Sequence, residues 1–134
     1  MILFCDENVG TRVPQALHQV RLPVLWVVKR YGTGGVIDVR LLADAGQNGW
    51  LVFSCNINIL NVEDERETLN RERVGIVFLT SGQERIDQVL RLLLNKWSWL
   101  DEIDRTVSRP FAFTVDIAGR ARSIPIAPLP RRRR

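Results

Sequence analysis

Four short, unbroken apolar runs constrain this chain more than any other feature: ILFCD at residues 2–6, VLWVV at 24–28, WLVFSC at 50–55 and GIVFLT at 75–80. None alternates as a half-wet strand would, so each reads as a strand buried on both faces, the habit of parallel sheets. The stretches between them carry helical spacing. Thr11 can cap a helix with Pro14 in its first turn, and Val13, Ala16, Leu17 and Val20 share one apolar face. A helix opening at Asp38 and running to about Gln47 buries Leu41, Leu42 and Ala45, and Gly49 ends it. The charged stretch NVEDERETLNRER is a third helix. Ser81 and Glu84 have capping-box spacing ahead of a long helix whose main face carries Ile86, Val89, Leu90, Leu93, Trp97, Leu100 and Ile103. Leu92, Leu94 and Trp99 lie off that face and are expected to pack on a partner chain or the terminal hairpin. Asn95 is a candidate break.

Strands alternating with helices imply an α/β fold with a mostly parallel sheet. FAFTVDI at 111–117 alternates with period two, as an antiparallel strand with one wet face does. RSIPI returns after a turn, and Pro125 puts it at an edge. The expected organisation is one domain over residues 1–126 with a Pro/Arg-rich tail over 127–134. With 46% hydrophobic residues among 134, the chain has a core's worth of apolar side chains, and no run approaches the roughly 18 residues that span a bilayer. The N-terminus lacks a basic region of the signal-peptide kind, which points to a cytoplasmic protein without membrane contact. Cys5 and Cys55 form no C-x-x-C pair and His18 is the single histidine, so free thiols are expected and a zinc set is not.

Polar clusters follow the expected strands at Asp6-Glu7-Asn8, at Ser54 through Asn58 and at Thr80-Ser81. Parallel sheets gather their sites at those carboxyl ends. Asp38, opening a helix, can reach the same rim. Mg2+ takes one or two carboxylates, keeps waters and binds substrate phosphates; Asp6 and Asp38 meet that minimum. Asn56 and Asn58 add neutral oxygens and, two apart in an extended segment, would face one side. Each residue also has a plainer use. Asp6 and Asp38 can serve as turn or capping residues, Asn56 and Asn58 as loop residues, and Glu63, Asp64 and Glu65 as a solvated first turn. The glycines of YGTGG match no dinucleotide fingerprint, and no P-loop or nucleophile elbow is present.

The order CDEN at 5–8, GTGGVID at 32–38 and VFSCNINIL at 52–60 resembles that of short bacterial PIN-like proteins similar to the VapC toxins. The resemblance covers residues 1–60 closely and 75–118 loosely. It implies a PIN-like three-layer domain with a mostly parallel central sheet and a C-terminal β-hairpin. It also implies a ribonuclease dependent on Mg2+ or Mn2+, acting as the toxin of a type II toxin–antitoxin pair. Asp6 and Asp38 then match metal-binding aspartates, Ser54 a hydroxyl position, and Glu7 and Asn8 supporting residues. Asn56 and Asn58 stand where the pattern has Asp, which removes two charges and weakens cation binding; Glu7, Glu63, Asp64 or Glu65 would have to compensate. The expected partners are an antitoxin protein and RNA, in a homodimer or a complex with the antitoxin. The alternative is a degraded PIN-like module that binds RNA or a protein without cutting.

Net charge is +4, and residues 131–134 are all Arg, so the rest of the chain is neutral. Lys29 and Lys96 are the only lysines among 19 Lys and Arg residues. Arg offers planar, bidentate contacts to phosphate that Lys does not. Deleting residues 131–134 should therefore weaken RNA binding more at low salt than at high salt. Titration of both forms at two salt concentrations checks this; equal low-salt affinity would contradict it.

Overall fold

Burial on both faces is what three of the four apolar runs obtain in their strands. A computed structural model of the chain describes residues 1–80 and 85–128. In it β1 (Leu3–Cys5), β2 (Val24–Trp26), β3 (Leu51–Ser54) and β4 (Gly75–Leu79) join β5 (Phe111–Val115) and β6 (Ala121–Ile124) in one sheet of order β2-β1-β3-β4-β5-β6. The first five strands pair in parallel and β6 closes antiparallel on β5. Every residue of β1, β3 and β4 is buried.

Side-chain alternation along the strands divides the core into two layers. Leu3, Cys5, Phe53 and Val77 face α1 (Arg12–Gln19) and α5 (Ile86–Thr106). Phe4, Val52, Ile76 and Phe78 face α2 (Val27–Tyr31), α3 (Asp38–Asn48) and α4 (Glu63–Arg71). The architecture is the expected three-layer α/β domain with a terminal hairpin. Leu41, Leu42 and Ala45 of α3 are buried, and Gly49 ends that helix in the left-handed conformation, as its position suggested.

Several local expectations change. The run VLWVV is not one strand: β2 stops at Trp26, and Val27 turns into α2, burying itself in the opposite layer. Asn95 does not break α5, which is continuous through 21 residues with Asn95 exposed. Val20 lies beyond the end of α1 and is 61% exposed. Residues 111–117 were expected to be antiparallel with a wet face. β5 does pair antiparallel with β6, but it has the parallel neighbour β4 on its other side, and four of its five residues are buried. Of the three residues off the main face of α5, Leu92 is buried and Trp99 packs edge-on against Phe113, but Leu94 is 46% exposed. The Ser81–Glu84 capping spacing and residues 129–134 lie outside the described residues. At Arg85 the backbone N–H donates to Oε1 of Gln88 at 3.2 Å, closing the start of α5. Both cysteines are free thiols, Cys5 buried and Cys55 half-buried.

Gly46 lets α3 and α4 approach. A Cβ there would lie 2.4 Å from the carbonyl oxygen of Glu72, a backbone atom that cannot rotate aside. Ala favours an isolated helix over Gly by about 1 kcal/mol. Overpacking costs about 1–3 kcal/mol and should win here. Gly46→Ala should thus lower stability by on the order of 1–2 kcal/mol in urea denaturation; a stabilised variant would contradict this packing.

Candidate functional site

The sheet reverses its order of connection between β1 and β3: from β1 the chain moves out to β2, then crosses back to β3 on the other side. Loops leaving the carboxyl ends of such a strand pair diverge and open a crevice. Asp6 directly follows β1 there and Ser54 ends β3. The backbone N–H of Asp6 still belongs to the sheet, donating to the carbonyl of Phe53 at 3.1 Å.

Asp6 is 3% exposed. Its carboxyl is pushed up to about 7, first by burial and then by the negative charge of Asp38; hydrogen bonds from the Ser54 hydroxyl and from the backbone of Asn8 and Val9 pull the other way. The Asn8 N–H donates to its Oδ1 at 3.2 Å. Ser54 Oγ accepts the Asn56 N–H at 3.0 Å, so the hydroxyl is oriented from one side and donates to Asp6 on the other. The same burial and the nearby Asp6 charge push the Cys55 thiol up to about 11, which keeps it protonated and a poor nucleophile.

Glu7 and Asn8 hold the surrounding loops. Both oxygens of Glu7 accept the N–H of Gly35 at 3.0 Å, tying the glycine-rich loop to the end of β1. Gly35 adopts φ +73°, and a Cβ on Gly34 would meet Glu7 Oε1 at 2.5 Å, so both glycines fit this contact. Asn8 Oδ1 accepts the N–H of Cys55 at 2.9 Å and fixes the loop after β3.

The tied loop delivers Asp38 to the crevice. Asp38 is the first residue of α3 and Ile37 holds the cap position, so the carboxyl of Asp38 is free of a capping role. It lies near Asp6 on one side and against Glu65 of α4 on the other. Glu65 is pushed up to about 7, first by burial, then by a carboxyl–carboxyl hydrogen bond with Asp38, and then by the charges of Asp38 and Asp64. Glu65 Oε2 is buried without any hydrogen-bond partner. Three carboxyls held in series, two of them pushed up to about 7, and one orphaned oxygen concentrate negative charge that a hard cation would offset. Among the described residues no three His, Cys, Asp or Glu side chains are grouped closely enough to surround one ion together. The fit is therefore to an ion held by one or two carboxylates, with Asp38 as the shared member.

A family model described as a PIN-like domain matches residues 1–81, which carry β1 through β4 and every residue of this crevice. The chain belongs to the PIN-like domain family. Neither a curated protein nor a solved structure matches it at the level required of a relative. PIN-like domains have a nuclease-type fold, and they generally use divalent metal ions.

In this PIN-like domain Asp38 lies near Asp6, and Ser54 ends the strand beside it. The two asparagines are not in an extended segment. Asn56 is half-buried and precedes a one-turn 3₁₀ helix over Ile57–Leu60. Asn58 lies inside that turn and is exposed. At roughly 120° per residue, positions two apart in such a turn do not share a side, which removes the geometric reason for pairing them. Glu63 and Asp64 are exposed, whereas Glu65 turns inward. The signal for it was present in the spacing: Glu65 lies three and four residues before Thr68 and Leu69, the buried residues of α4.

The burial of Asp6 has a pH consequence. An acid whose folded value is raised binds more protons folded than unfolded between its ordinary value, 3.8, and about 7. Its favourable contribution is full below about pH 4 and is lost as pH rises through 7. In EDTA, the stability of the wild type relative to Asp6→Asn should fall by roughly 2–4 kcal/mol between about pH 4 and pH 8. Urea denaturation of both proteins checks this; a pH-independent difference would mean that Asp6 is solvated.

Proposed function

We propose that this PIN-like domain is a ribonuclease dependent on Mg2+ or Mn2+, with Asp6 and Asp38 as metal ligands and Glu65 completing the acidic centre. The observation that carries the reading is the series Asp6–Asp38–Glu65 at the β1/β3 crevice, with an orphaned oxygen at its end. A divalent cation bound there supplies an activated water and charge neutralisation for phosphodiester hydrolysis. Asp6 contributes a fixed carboxylate, oriented by the Ser54 hydroxyl and the Asn8 N–H. Glu65, titrating near 7, can hold a proton on its carboxyl and release it at physiological pH, the property of an acid–base group. Glu7 and Asn8 position these groups through the loops they hold. Asn56, beside Ser54, is assigned to the rim of the site.

Within this reading the chain is the toxin of a type II toxin–antitoxin pair acting in the cytoplasm, with a cognate antitoxin as its partner. Among the described residues no helix is long and apolar enough to cross a membrane. A small DNA-binding protein encoded in the adjacent reading frame is the observation that checks the pairing. A second reading, a module that binds RNA without cutting, is favoured by the exposed neutral amide of Asn58 where the family pattern has an acid.

Purified protein should cleave single-stranded RNA with Mn2+ and stop in EDTA. Asp6→Asn should abolish cleavage, and Glu65→Gln should lower it by about 100-fold, the usual scale of a lost acid–base group. RNA that is bound but never cut, with either metal, would favour the second reading. Activity unchanged in Asp6→Asn would contradict both assignments of the crevice.

A further inference from the structure

A second concavity, of about 510 Å³, opens between α1 and the end of β2. Arg12, Gln15 and Gln19 line it from α1, Lys29 from α2, and Trp26 forms its floor. The His18 ring meets Trp26 edge-on at 5.8 Å, and Lys29 Nζ sits 5.1 Å above the same ring. Neither Arg12 nor Lys29 has a carboxylate within ion-pair distance among the described residues, a state they share with several other cations, Arg91 and Lys96 among them, so it is their placement around Trp26 that sets them apart. Trp26 pairs with Cys5, the residue before Asp6. The concavity and the acidic crevice are thus neighbours at the carboxyl rim of the sheet. They lie on opposite layers, with Trp26 beside α1 and the acids beside α3 and α4.

We propose that this concavity is an RNA subsite, and that a single strand crosses the rim from it to the acidic centre. The inference rests on the nucleic-acid reading of that centre. Arg12 and Lys29 provide two uncompensated cations for phosphates flanking the scissile one, which the acidic centre itself would repel in the absence of metal. Gln15 and Gln19 offer amides that donate and accept, and so can meet the edge of an unstacked base. The volume lies in the range of small-ligand pockets and is sufficient for one nucleotide. Lys29 is held in place by Trp26, which reduces the freedom lost when a phosphate binds.

The test is binding of a short fluorescein-labelled oligouridylate to the full chain in EDTA, read by anisotropy across a range of salt. Binding without metal separates this inference from the nuclease reading, which is judged on cleavage alone. Arg12→Ala with Lys29→Ala should weaken binding by about tenfold at low salt and reduce the slope of log affinity against log salt by about 1.4, two phosphate contacts on a single strand. Arg91→Ala with Lys96→Ala, which removes equal charge from a concavity along α5, should leave both quantities close to wild type. Circular dichroism confirms that each variant is folded, and Gln15→Ala, which removes no charge, should weaken binding without changing the slope. Equal loss from both charge pairs would reduce the effect to net charge and overturn the proposal. No binding by the wild type in EDTA, or an unchanged slope in Arg12→Ala/Lys29→Ala, would overturn it as well.

Discussion

The carboxylate of Asp6 sits at the end of a strand with a neighbour on each side, and its burial is the constraint around which the site is organised. A lone ionised carboxyl in that position is costly, because desolvation disfavours the charged form. The chain meets that cost partly with donors: the Ser54 hydroxyl and the Asn8 N–H both point at Asp6. It then adds to the cost by bringing Asp38 close, and Glu65 behind Asp38. Accumulating acids around a buried one works against stability, and a fold retains such an arrangement where a cation or a proton supplies the missing positive charge.

The loops make the accumulation rigid. β1 and β3 are hydrogen-bonded neighbours, so Asp6 and Ser54 are fixed by the sheet. Asp38 is not part of the sheet, and its position depends on Glu7 gripping Gly35 and on the packing of α3. Glu65 depends on α4, whose phase is set by burial of Thr68 and Leu69 and whose distance from α3 is set by Gly46. The triplet Asp6-Glu7-Asn8 therefore serves three separate ends: one residue in the centre, one holding the loop before α3, and one holding the loop after β3.

Most of the fold was legible because unbroken apolar runs have few places to go. β1 and β3 fall inside the longer runs ILFCD and WLVFSC, and the polar residues toward the ends of those runs named Asp6 and Ser54. What was not legible depended on neighbours far along the chain. Nothing local distinguishes Trp26 from Val27, yet one ends a strand and the other starts a helix that buries it in the opposite layer. FAFTV alternates, but Phe111 and Val115 join the core layer under α5 while Ala112 joins the opposite layer, so neither face is wet. In the site, Asn56 and Asn58 suggested an extended pair because they are two apart; backbone bonds from Asn61 and Val62 to the carbonyl of Asn58 coil the segment instead. Glu65 was hidden among three consecutive acids, and only the single Leu69 four residues on marks which of them faces inward.

The proposed function stands on one claim, that Asp6 and Asp38 hold a cation with Glu65 beside them. Calorimetric titration of Mn2+ into the full chain near pH 7.5 tests it most directly. The account predicts a single binding site in the wild type that disappears in Asp6→Asn, weakens in Glu65→Gln, and is accompanied by proton release, because Asp6 and Glu65 are part-protonated at about 7 before the ion arrives. Absence of binding by the wild type, or binding unchanged in Asp6→Asn, would contradict it.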